Sequence, residues 1–586
     1  MYVTCFWEEI EMKKAFAVLL ALAMMASASM TGCGSGEETA PAGEETEQTQ
    51  ETTGESETAE EGETAPETSG TAASGNTLVW NIGVDPKTLD PALNQAVDGS
   101  QVINNTFEGL LRDCYDGNGL QPAMATEVPE PVQNEDGTVT YTFHLRDAKW
   151  SDGQPVTAND FVFAWQRAVD PMTASEYAYI MSPILNADAI NAGEKDKSEL
   201  GVKAIDDKTL EVTLSQPCAY FLELTAFSTL MPVREDMVDV DGLWAKDPEK
   251  AVCNGPFVLS EYVMGDHLTL VKNENYWDAE NVQLDAIVGK MIVDNSTTLA
   301  AFKNGEVDIT ERVANEEIQQ LVATGECDIM PYLANEYYTI KCNSSVEALN
   351  DVRVRKAISM ALDRQAIVEN VSRGGEKPAM GFVPYGFSDS QGNDFRETAG
   401  SYYLTETAQV EEAQALLAEA GYPNGEGIPQ LELMYNTDDT VKAVVEAMQE
   451  MWHSNLGIDV KLSNQEWAVF ITTMTTANYD ALCRHGWTGD YADPQTFLDI
   501  YVSGNGNAGN GYSNPEYDEL IATALASSGA DRDAAFYEAE KVLMEDAYII
   551  PVYYRVKPVL SNHERVQGWT ISPLGAFWFG DVTINA

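Results

Sequence analysis

One short segment of the chain carries side chains that could hold a charged ligand. Between Arg484 and Pro494 it places a guanidinium, the large aromatic ring of Trp487 and two carboxylates, Asp490 and Asp493. A carboxylate can receive an ammonium group, and an arginine can receive a carboxylate, through charge-assisted hydrogen bonds. Taken alone, the stretch that ends in Asp493-Pro494 is also typical of a turn that opens the next helix. The segment therefore indicates ligand binding only if other parts of the chain support it.

The sequence gives little support for covalent chemistry. The run Gly504–Gly509 formally matches GxGxxG, but a helical stretch precedes it and Tyr512-Ser-Asn-Pro515 follows, which favours a loop over a dinucleotide site. His485 stands beside Arg484, where a structural or solvated histidine is more common than a catalytic one. We find no P-loop, HExxH or GxSxG motif, and the five histidines are widely separated. We therefore expect no enzyme activity, no metal site and no cofactor.

The charge of the chain excludes two classes of partner. Its 94 Asp and Glu residues outnumber its 34 Lys and Arg residues, which gives a formal net charge of −60. Binding to nucleic acid or to an anionic membrane surface needs clustered basic residues, so we expect neither. A diffuse negative field would favour cationic ligands, or it simply keeps the surface solvated. The hydrophobic fraction of 44% is ample for a packed core.

The first 75 residues indicate export and anchoring. Two lysines precede an apolar run over 15–28, which has the length of a signal-peptide core and fits a start at Met12. The run ends in Met-Thr-Gly before Cys33, which resembles a bacterial lipobox, so residues 1–32 are a predicted signal peptide and Cys33 is a predicted lipidation site. The remainder, up to residue 75, contains 12 Glu, nine Thr and no Lys or Arg, as in a disordered tether. We therefore expect a protein anchored at the outer face of the membrane, in a Gram-positive bacterium.

Strand-like and helix-like segments alternate through the rest of the chain. The predicted strands are Thr77–Ile82, Val139–Leu145, Thr209–Leu214, Leu268–Val271, Gln430–Tyr435, Asp459–Leu462 and Ile549–Tyr554. The predicted helices are Asn159–Val169, Val354–Asn370, Val410–Ala420 and Val441–Trp452. After residue 33 no hydrophobic run reaches about 18 residues, so no further membrane span is expected. This mixture predicts an α/β protein.

A series of motifs extends over nearly the whole chain beyond the tether. They are Lys149-Trp-Ser-Asp-Gly-Gln-Pro-Val-Thr-Ala-Asn-Asp-Phe161, Trp165-Gln-Arg-Ala-Val-Asp-Pro171, Asn254-Gly-Pro-Phe257, Asn275-Tyr-Trp277, Asp351-Val-Arg-Val-Arg-Lys-Ala357, Gln465-Glu-Trp467 and Ile550-Pro-Val-Tyr-Tyr554. In their order and rough spacing they resemble the oligopeptide-binding proteins of solute-binding family 5 (peptide/nickel-binding type), which serves ABC importers. Each motif is weak alone, but together in register they are specific.

The resemblance implies the periplasmic-binding-protein-like II (Venus flytrap) fold, an α/β fold with two lobes that close on a ligand and an extra middle lobe. By analogy, the first lobe is discontinuous and comprises residues 76–107, 231–333 and 557–586. The middle lobe comprises residues 108–230, and the third lobe comprises residues 334–556.

The resemblance also implies which residues meet the ligand. In the family, the ligand backbone adds as an extended strand between two chain segments, which match Gln95-Ala96-Val97 and Gly486-Trp487-Thr488 here. Asp490 matches the acid that receives the peptide α-ammonium, and Arg484 matches a cation that can receive the peptide C-terminus. The residues that match aromatic rings lining the site are Tyr177, Trp467 and Tyr337.

Two departures from the family pattern concern the same region. The best-known peptide binders of the family carry cysteines, which can pair, at the positions of Ala334 and Thr488. Both cysteines are absent together here, which is consistent with a lost crosslink rather than a lost site. Gln95 stands where the family has an acidic residue, so that contact is expected to be weaker.

These matches imply a function without catalysis. We expect a monomeric, lipid-anchored extracellular receptor that captures oligopeptides by lobe closure and delivers them to an ABC permease and its ATPase subunits. Alternatives within the same fold are the binding of dipeptides, metal chelates or oligosaccharides, and a role as a peptide-sensing surface receptor. A surface hydrolase is a further alternative, which the absence of a nucleophile motif disfavours.

Overall fold

The computed structural model describes residues 75–114, 119–239 and 242–585. The predicted signal peptide, the predicted lipidation site Cys33 and the tether up to residue 74 lie outside these residues, so the lipid anchor stays a prediction. In the described ranges, strands and helices alternate, which confirms the α/β class. None of the helices in these ranges is long and apolar enough to cross a membrane.

One large mixed sheet of eleven strands runs through the molecule. Its spatial order is Val460–Gln465, Leu431–Asn436, Leu482–Thr488, Cys327–Ile340, Ile549–Ser561, Ile309–Thr310, Thr77–Asn81, Ala286–Lys290, His267–Lys272 and Phe257–Val263, with Lys377–Pro378 paired to Ile549–Ser561 off this path. Thr77–Asn81 and Leu431–Asn436 each run parallel to both of their neighbours. The other pairs are antiparallel. The sheet therefore has a parallel group on each side, joined by antiparallel strands.

Two long strands join the two sides of this sheet. Cys327–Ile340 has 14 residues and its antiparallel neighbour Ile549–Ser561 has 13. Their register shifts between Pro331 and Asn335 and again between Glu336 and Tyr337, as at a β-bulge. The predicted lobe boundaries after residues 333 and 556 fall inside these strands, next to the first shift. Any motion between the first and third lobes would therefore bend strands that belong to both, although the division into lobes remains a prediction.

A smaller antiparallel sheet lies in the region predicted as the middle lobe. Its strands, in spatial order, are Val132–Gln133, Val139–His144, Thr209–Leu214 and Val202–Asp206. In the two central strands every second residue is buried, as expected for a sheet that packs on one side. Helix Ala158–Val169 belongs to the same hydrophobic cluster. A capping box between Thr157 and Asp160 begins this helix.

The remaining elements are short hairpins and helices. The paired short strands are Leu111–Cys114 with Gly119–Pro122, Val566–Gln567 with Thr583–Ile584, and Thr570–Ile571 with Phe577–Trp578. The α-helices are Val97–Thr106, Ala158–Val169, Ala187–Asn191, Phe221–Leu224, Asn295–Lys303, Asn315–Thr324, Val352–Met360, Arg364–Ile367, Phe395–Ala399, Val410–Glu419, Asp439–Leu456, Trp467–Thr475, Gln495–Leu498, Pro515–Leu525 and Gly529–Asp546.

The seven predicted strands are all present, and the main difference is that Ile549–Ser561 extends well beyond the predicted end at Tyr554. The prediction of one continuous helix over Val354–Asn370 is wrong. The first helix ends at Met360, and Asp363 begins a second one by accepting a hydrogen bond from the Ala366 N–H at 2.8 Å. Aspartate is a preferred N-cap. The helical spacing of apolar residues continues across residues 361–363, although the helix itself is interrupted there, and only the capping residue indicates the interruption.

Candidate ligand-binding site

A cavity of about 310 Å³ lies where separate parts of the chain meet. Residues of its wall come from 94–113, 177–179, 223–231, 487–492 and 572–578. The site residues predicted from the sequence that belong to this wall are Gln95, Ala96, Val97, Tyr177, Trp487, Thr488 and Asp490. The structure thus brings into one cavity side chains that lie almost 400 positions apart in the sequence.

A buried ion pair fixes the loop that leads to Gln95. The Asp90 carboxylate accepts hydrogen bonds from the two terminal nitrogens of Arg167 at 2.8 and 2.6 Å, and from the Trp244 indole at 3.0 Å. Further along, the Asn94 side-chain amide donates to the Ala96 carbonyl at 3.1 Å. Because removing one member of a buried pair typically costs about 3–5 kcal/mol, this loop is held firmly against helix Ala158–Val169.

Ala96 is extended, and Val97 is the first residue of helix Val97–Thr106. The predicted segment Gln95-Ala96-Val97 is therefore a short extended stretch that turns into a helix. All three residues line the cavity, and so short an extended stretch would offer only a few backbone groups to an added strand.

The strand Leu482–Thr488 presents an open edge near the cavity. On one side it pairs along its whole length with Cys327–Ile340. On the other side, Leu431–Asn436 pairs only with Leu482 and Cys483, and no other strand of the described chain pairs there. Beyond Cys483 this edge therefore has no strand partner in the described chain, and an additional strand could pair there.

Side chains behind this strand hold it in place. The Trp487 N–H donates to Asn335 Oδ1 at 3.0 Å, and the Gly486 N–H donates to His485 Nδ1 at 2.9 Å. His485 stacks on Tyr337 with ring centroids 4.7 Å apart, and its Nε2 lies 3.0 Å from the Asn507 carbonyl. Burial lowers the pKa of His485 to about 4, so the ring is neutral and serves as a support of the strand.

Ala334 and Thr488 are direct cross-strand neighbours. Residues opposite each other in an antiparallel pair have Cβ atoms about 4.5–5.5 Å apart, close to what a disulfide between them would need. This pairing fits the interpretation that a crosslink of the family is absent here, because both positions lie together on the same ladder.

Asp490 lies just beyond the strand and faces two tyrosines. The Tyr179 hydroxyl donates to Asp490 Oδ2 at 3.1 Å, and Tyr177 stacks on Tyr179 with centroids 5.5 Å apart. Burial raises the pKa of Asp490 to about 6, although hydrogen bonds from both tyrosines oppose this rise. A desolvated carboxylate without a cationic partner in the described chain is well suited to receive an ammonium group.

A second aromatic contact joins the same two regions. Tyr220 stacks face to face on Tyr491, with ring centroids 4.3 Å apart and an interplanar angle of 7°. Tyr179 and Tyr220 lie in the predicted middle lobe, whereas Asp490 and Tyr491 lie in the predicted third lobe. The stack and the Tyr179–Asp490 hydrogen bond thus bridge the cavity at adjacent residues.

Arg484 lies outside the cavity wall and is already paired. Its guanidinium donates to both carboxylate oxygens of Glu336, at 2.7 and 2.6 Å. Arg555 also donates to Glu336. Burial raises the pKa of Glu336, but the two guanidiniums outweigh burial and hold it below its ordinary value. The predicted contact of Arg484 with a peptide C-terminus would have to compete with this buried pair, which the sequence alone did not reveal.

The other predicted residues also lie outside the wall. Tyr337 has no exposed surface and packs against His485 and Phe382, so it supports the strand instead of touching a ligand in this structure. Trp467 is 55% exposed at the start of helix Trp467–Thr475 and does not line the cavity. Gly486 belongs to the strand edge but not to the cavity wall. None of these three residues lines the cavity that Asp490 lines.

The wall contains acidic and basic residues that sequence reasoning missed. They are Glu108, Arg112, Asp113 and Glu223. Glu108 and Arg112 are four positions apart and form an ion pair at 3.5 Å, but no motif marks any of the four as part of a site. Only the fold shows that they share a cavity with Asp490.

Comparison with known proteins decides the family. The family model described as "Bacterial extracellular solute-binding proteins, family 5 Middle" matches residues 119–509. The chain belongs to this family. This solute-binding protein is 36% identical to the oligopeptide-binding protein OppA of Bacillus subtilis over 515 residues. The alignment covers 86% of this chain and 92% of the relative.

Solved structures of the family share its architecture. The murein tripeptide-binding protein MppA of Escherichia coli matches with a TM-score of 0.72 and 34% identity, covering 87% of this chain and 99% of that one. The peptide-bound OppA of Listeria monocytogenes matches with a TM-score of 0.71 and 32% identity, covering 88% and 100%. These neighbours confirm the predicted family and the periplasmic-binding-protein-like, multi-lobed fold.

Proposed function

We propose that this solute-binding protein captures oligopeptides outside the cell and delivers them to the permease of an ABC importer. The observation that carries the proposal is Asp490, a desolvated carboxylate in the wall of a cavity beside the open edge of strand Leu482–Thr488. A peptide has the two features that such a site can use, a cationic end and a backbone able to pair as a strand. The relatives named for oligopeptide binding support the same choice.

The backbone of the ligand would add as a strand beside residues 484–488, with the stretch Gln95-Ala96-Val97 on the other side of the cavity. Main-chain hydrogen bonds do not depend on side-chain identity, so one site accepts many peptide sequences. The α-ammonium would pair with Asp490. Because that carboxylate is desolvated, loss of this pair is expected to cost about 3–5 kcal/mol, or two to four decades in affinity.

Closure of the lobes would follow from the contacts that bridge the cavity. Tyr179 and Tyr220 contact Asp490 and Tyr491 from the predicted middle lobe. A peptide that neutralises Asp490 and fills the cavity favours the closed arrangement, because a ligand shifts the population toward the state that binds it more tightly. The protein performs no covalent chemistry in this account.

The test is a thermal-shift panel on the secreted protein. It comprises free di- to octapeptides, the same peptides N-acetylated, oligosaccharides and metal chelates. A ligand at 100 times its dissociation constant adds about 2.7 kcal/mol to the free energy of unfolding. We expect stabilisation by free peptides that N-acetylation removes. A response to sugars or chelates but to no peptide would refute the proposed substrate and leave the family assignment intact.

We also propose that Cys33 carries the lipid that keeps the protein at the outer face of the membrane. The lipobox-like Met-Thr-Gly-Cys sequence supports this, and the acidic tether would hold the binding site away from the lipid. Labelled palmitate fed to cells should appear in the wild-type protein and not in Cys33→Ser, which should be released into the medium. Membrane retention of the unlabelled variant would contradict the anchor.

A further inference from the structure

The charges of the cavity wall are unbalanced beyond Asp490. The wall carries three more carboxylates, Glu108, Asp113 and Glu223, against the guanidinium of Arg112. One peptide ammonium at Asp490 would leave this imbalance in place. The question is therefore whether each of the additional carboxylates already has a partner within the protein.

Glu108 is satisfied by its neighbours. Its carboxylate accepts hydrogen bonds from the Tyr276 hydroxyl at 2.8 Å and from the Trp277 indole at 2.5 Å, and Arg112 lies 3.5 Å away. It is 2% exposed. These contacts explain Glu108 as a structural group that joins the cavity wall to the Asn275-Tyr-Trp277 motif.

Asp113 and Glu223 have no such partners. In the part of the chain that the structure describes, neither carboxylate accepts a hydrogen bond or forms an ion pair. Burial alone raises the pKa of Asp113 to about 6. The pKa of Glu223 is raised to about 8, first by burial and then by the negative charges of Asp113 and Asp493. Two partly buried carboxylates that repel each other at a cavity wall are costly for the protein when both are ionised, and either a proton or a cation in the space between them relieves that cost.

Other polar groups of the same wall are also unsatisfied. The Ser228 side chain is 3% exposed, and its hydroxyl has no hydrogen-bond partner within the described residues. The same holds for Asn104 Oδ1 and Trp487 Nε1, which are buried and line the cavity. Buried polar groups are normally paired. Ser228 and Asn104 offer oxygens that can accept hydrogen bonds from a ligand, whereas the Trp487 indole N–H can only donate one, so the set fits a ligand that carries donors and an acceptor, as a peptide does.

We propose that Asp113 and Glu223 form a second cation subsite, which receives the basic side chain of a lysine or arginine near the N-terminus of the bound peptide. This inference rests on the proposed function, because Asp490 is taken to hold the α-ammonium of the same peptide. It adds a substrate class: peptides that carry two positive charges close together. The position is near the N-terminus because Asp490 and the carboxylate pair line one cavity of about 310 Å³.

A metal ion is a weaker occupant on the same observations. No group of three or more His, Cys, Asp or Glu side chains in the described residues is placed to hold a metal ion. Two carboxylates and a hydroxyl are fewer ligands than Ca²⁺ normally takes, which is six to eight oxygens. An ammonium or guanidinium, by contrast, needs only a few acceptors.

The experiment is isothermal titration calorimetry of the complete protein with matched tripeptides. Lysine is placed in turn at positions one, two and three of trialanine, and each peptide is compared with its norleucine counterpart, which has a similar apolar side chain and no charge. We expect one of the first two positions to favour lysine by about tenfold or more, the range of a desolvated charge contact. Acetylation of that lysine should remove the preference.

Variants of the two carboxylates test whether Asp113 and Glu223 cause the preference for lysine over norleucine. In Asp113→Asn/Glu223→Gln the lysine-to-norleucine ratio should fall to about one, while measurable binding of the norleucine peptide reports that the fold is intact. If the double variant does not bind the norleucine peptide, the single variants are compared in the same way, each expected to reduce the ratio. Asp499→Asn, a buried carboxyl outside the cavity wall, is the matched control and should keep the wild-type ratio.

The failures of the two proposals are distinguishable. If no peptide binds, charged or neutral, the proposed function is refuted. If norleucine peptides bind as tightly as lysine peptides at every position, or if the lysine preference persists in all carboxylate variants, the second subsite is refuted and peptide capture stands. Binding of Ca²⁺ alone to the wild type that the double variant loses would assign the pair to a metal ion and also overturn the inference.

Discussion

Replacing Asp490 with asparagine should stabilise the ligand-free protein while it removes peptide binding. Burial raises the pKa of Asp490 from its ordinary value of 3.8 to about 6 in the folded state. A carboxyl with a raised pKa opposes folding wherever it is ionised, because the unfolded chain solvates the charge better. A difference of about two pKa units corresponds to about 3 kcal/mol at pH 8. Asparagine keeps the acceptor for Tyr179 and has no charge to desolvate.

The stability difference between Asp490→Asn and the wild type depends on pH. The full penalty applies above pH 6, where Asp490 is ionised in both states, and it shrinks as the pH falls from 6 towards 4. Below about pH 4 both states bind the proton and the two proteins should be equally stable. With an unfolding entropy of about 2 cal/mol/K per residue over the roughly 500 described residues, 3 kcal/mol corresponds to a melting temperature about 3 °C higher for Asp490→Asn at pH 8.

The assay is thermal unfolding of both proteins between pH 4 and 8, with and without a free-amine peptide. The wild type should gain stability from the peptide and Asp490→Asn should not. Peptide affinity of the wild type should also fall as the pH drops below about 6, because protonated Asp490 cannot pair with the ammonium. A variant that is less stable than the wild type at pH 8, or that still responds to peptide, would refute this reasoning.

Asp499 provides a matched control. It is also a buried carboxyl with a pKa raised by burial to about 6, and it accepts a hydrogen bond from Gln495 at 2.9 Å, but it does not line the cavity. Asp499→Asn should therefore show the same pH-dependent stabilisation and keep the full peptide response. If both variants lose the response, a general effect on the fold would explain the result for Asp490→Asn.

Three other predictions concern contacts around the cavity. Tyr220→Ala removes the stack on Tyr491, typically about 0.5–1.5 kcal/mol, and should weaken peptide binding about two- to tenfold by calorimetry; unchanged affinity would contradict the closure role. Glu336→Ala leaves two guanidiniums without a buried counter-charge and should cost about 3–5 kcal/mol in urea unfolding, whereas wild-type stability would contradict the pairing. Asn335→Ala should speed hydrogen exchange at the Trp487 amide, whose acceptor it removes; unchanged exchange would show that the bond is unimportant.

Seven of the predicted residues line the cavity, and six of these lie in two short segments of the sequence. Trp487, Thr488 and Asp490 follow one another within four positions, and Gln95-Ala96-Val97 is a single stretch, so a match in sequence carries the local geometry with it. The predicted strands were reliable for a related reason, since alternation within one segment determines which residues are buried.

The remaining features depend on contacts between distant residues. Glu336 and Arg484 are 148 positions apart, and nothing in the sequence near either residue indicates that the two form an ion pair. Asp113 and Glu223 come from a hairpin strand and a short helix that meet only in the folded protein. The second helix begins with a capping hydrogen bond at Asp363. The apolar periodicity of Val354–Asn370 gives no indication of this start.

The most direct test of the central claim is a crystal structure of the protein with a bound free-amine tripeptide. The account predicts the peptide nitrogen about 2.7–2.9 Å from an Asp490 carboxylate oxygen and the peptide backbone hydrogen-bonded to the edge between Arg484 and Thr488. A peptide bound with its N-terminus away from Asp490, or lying outside the cavity, would contradict the account.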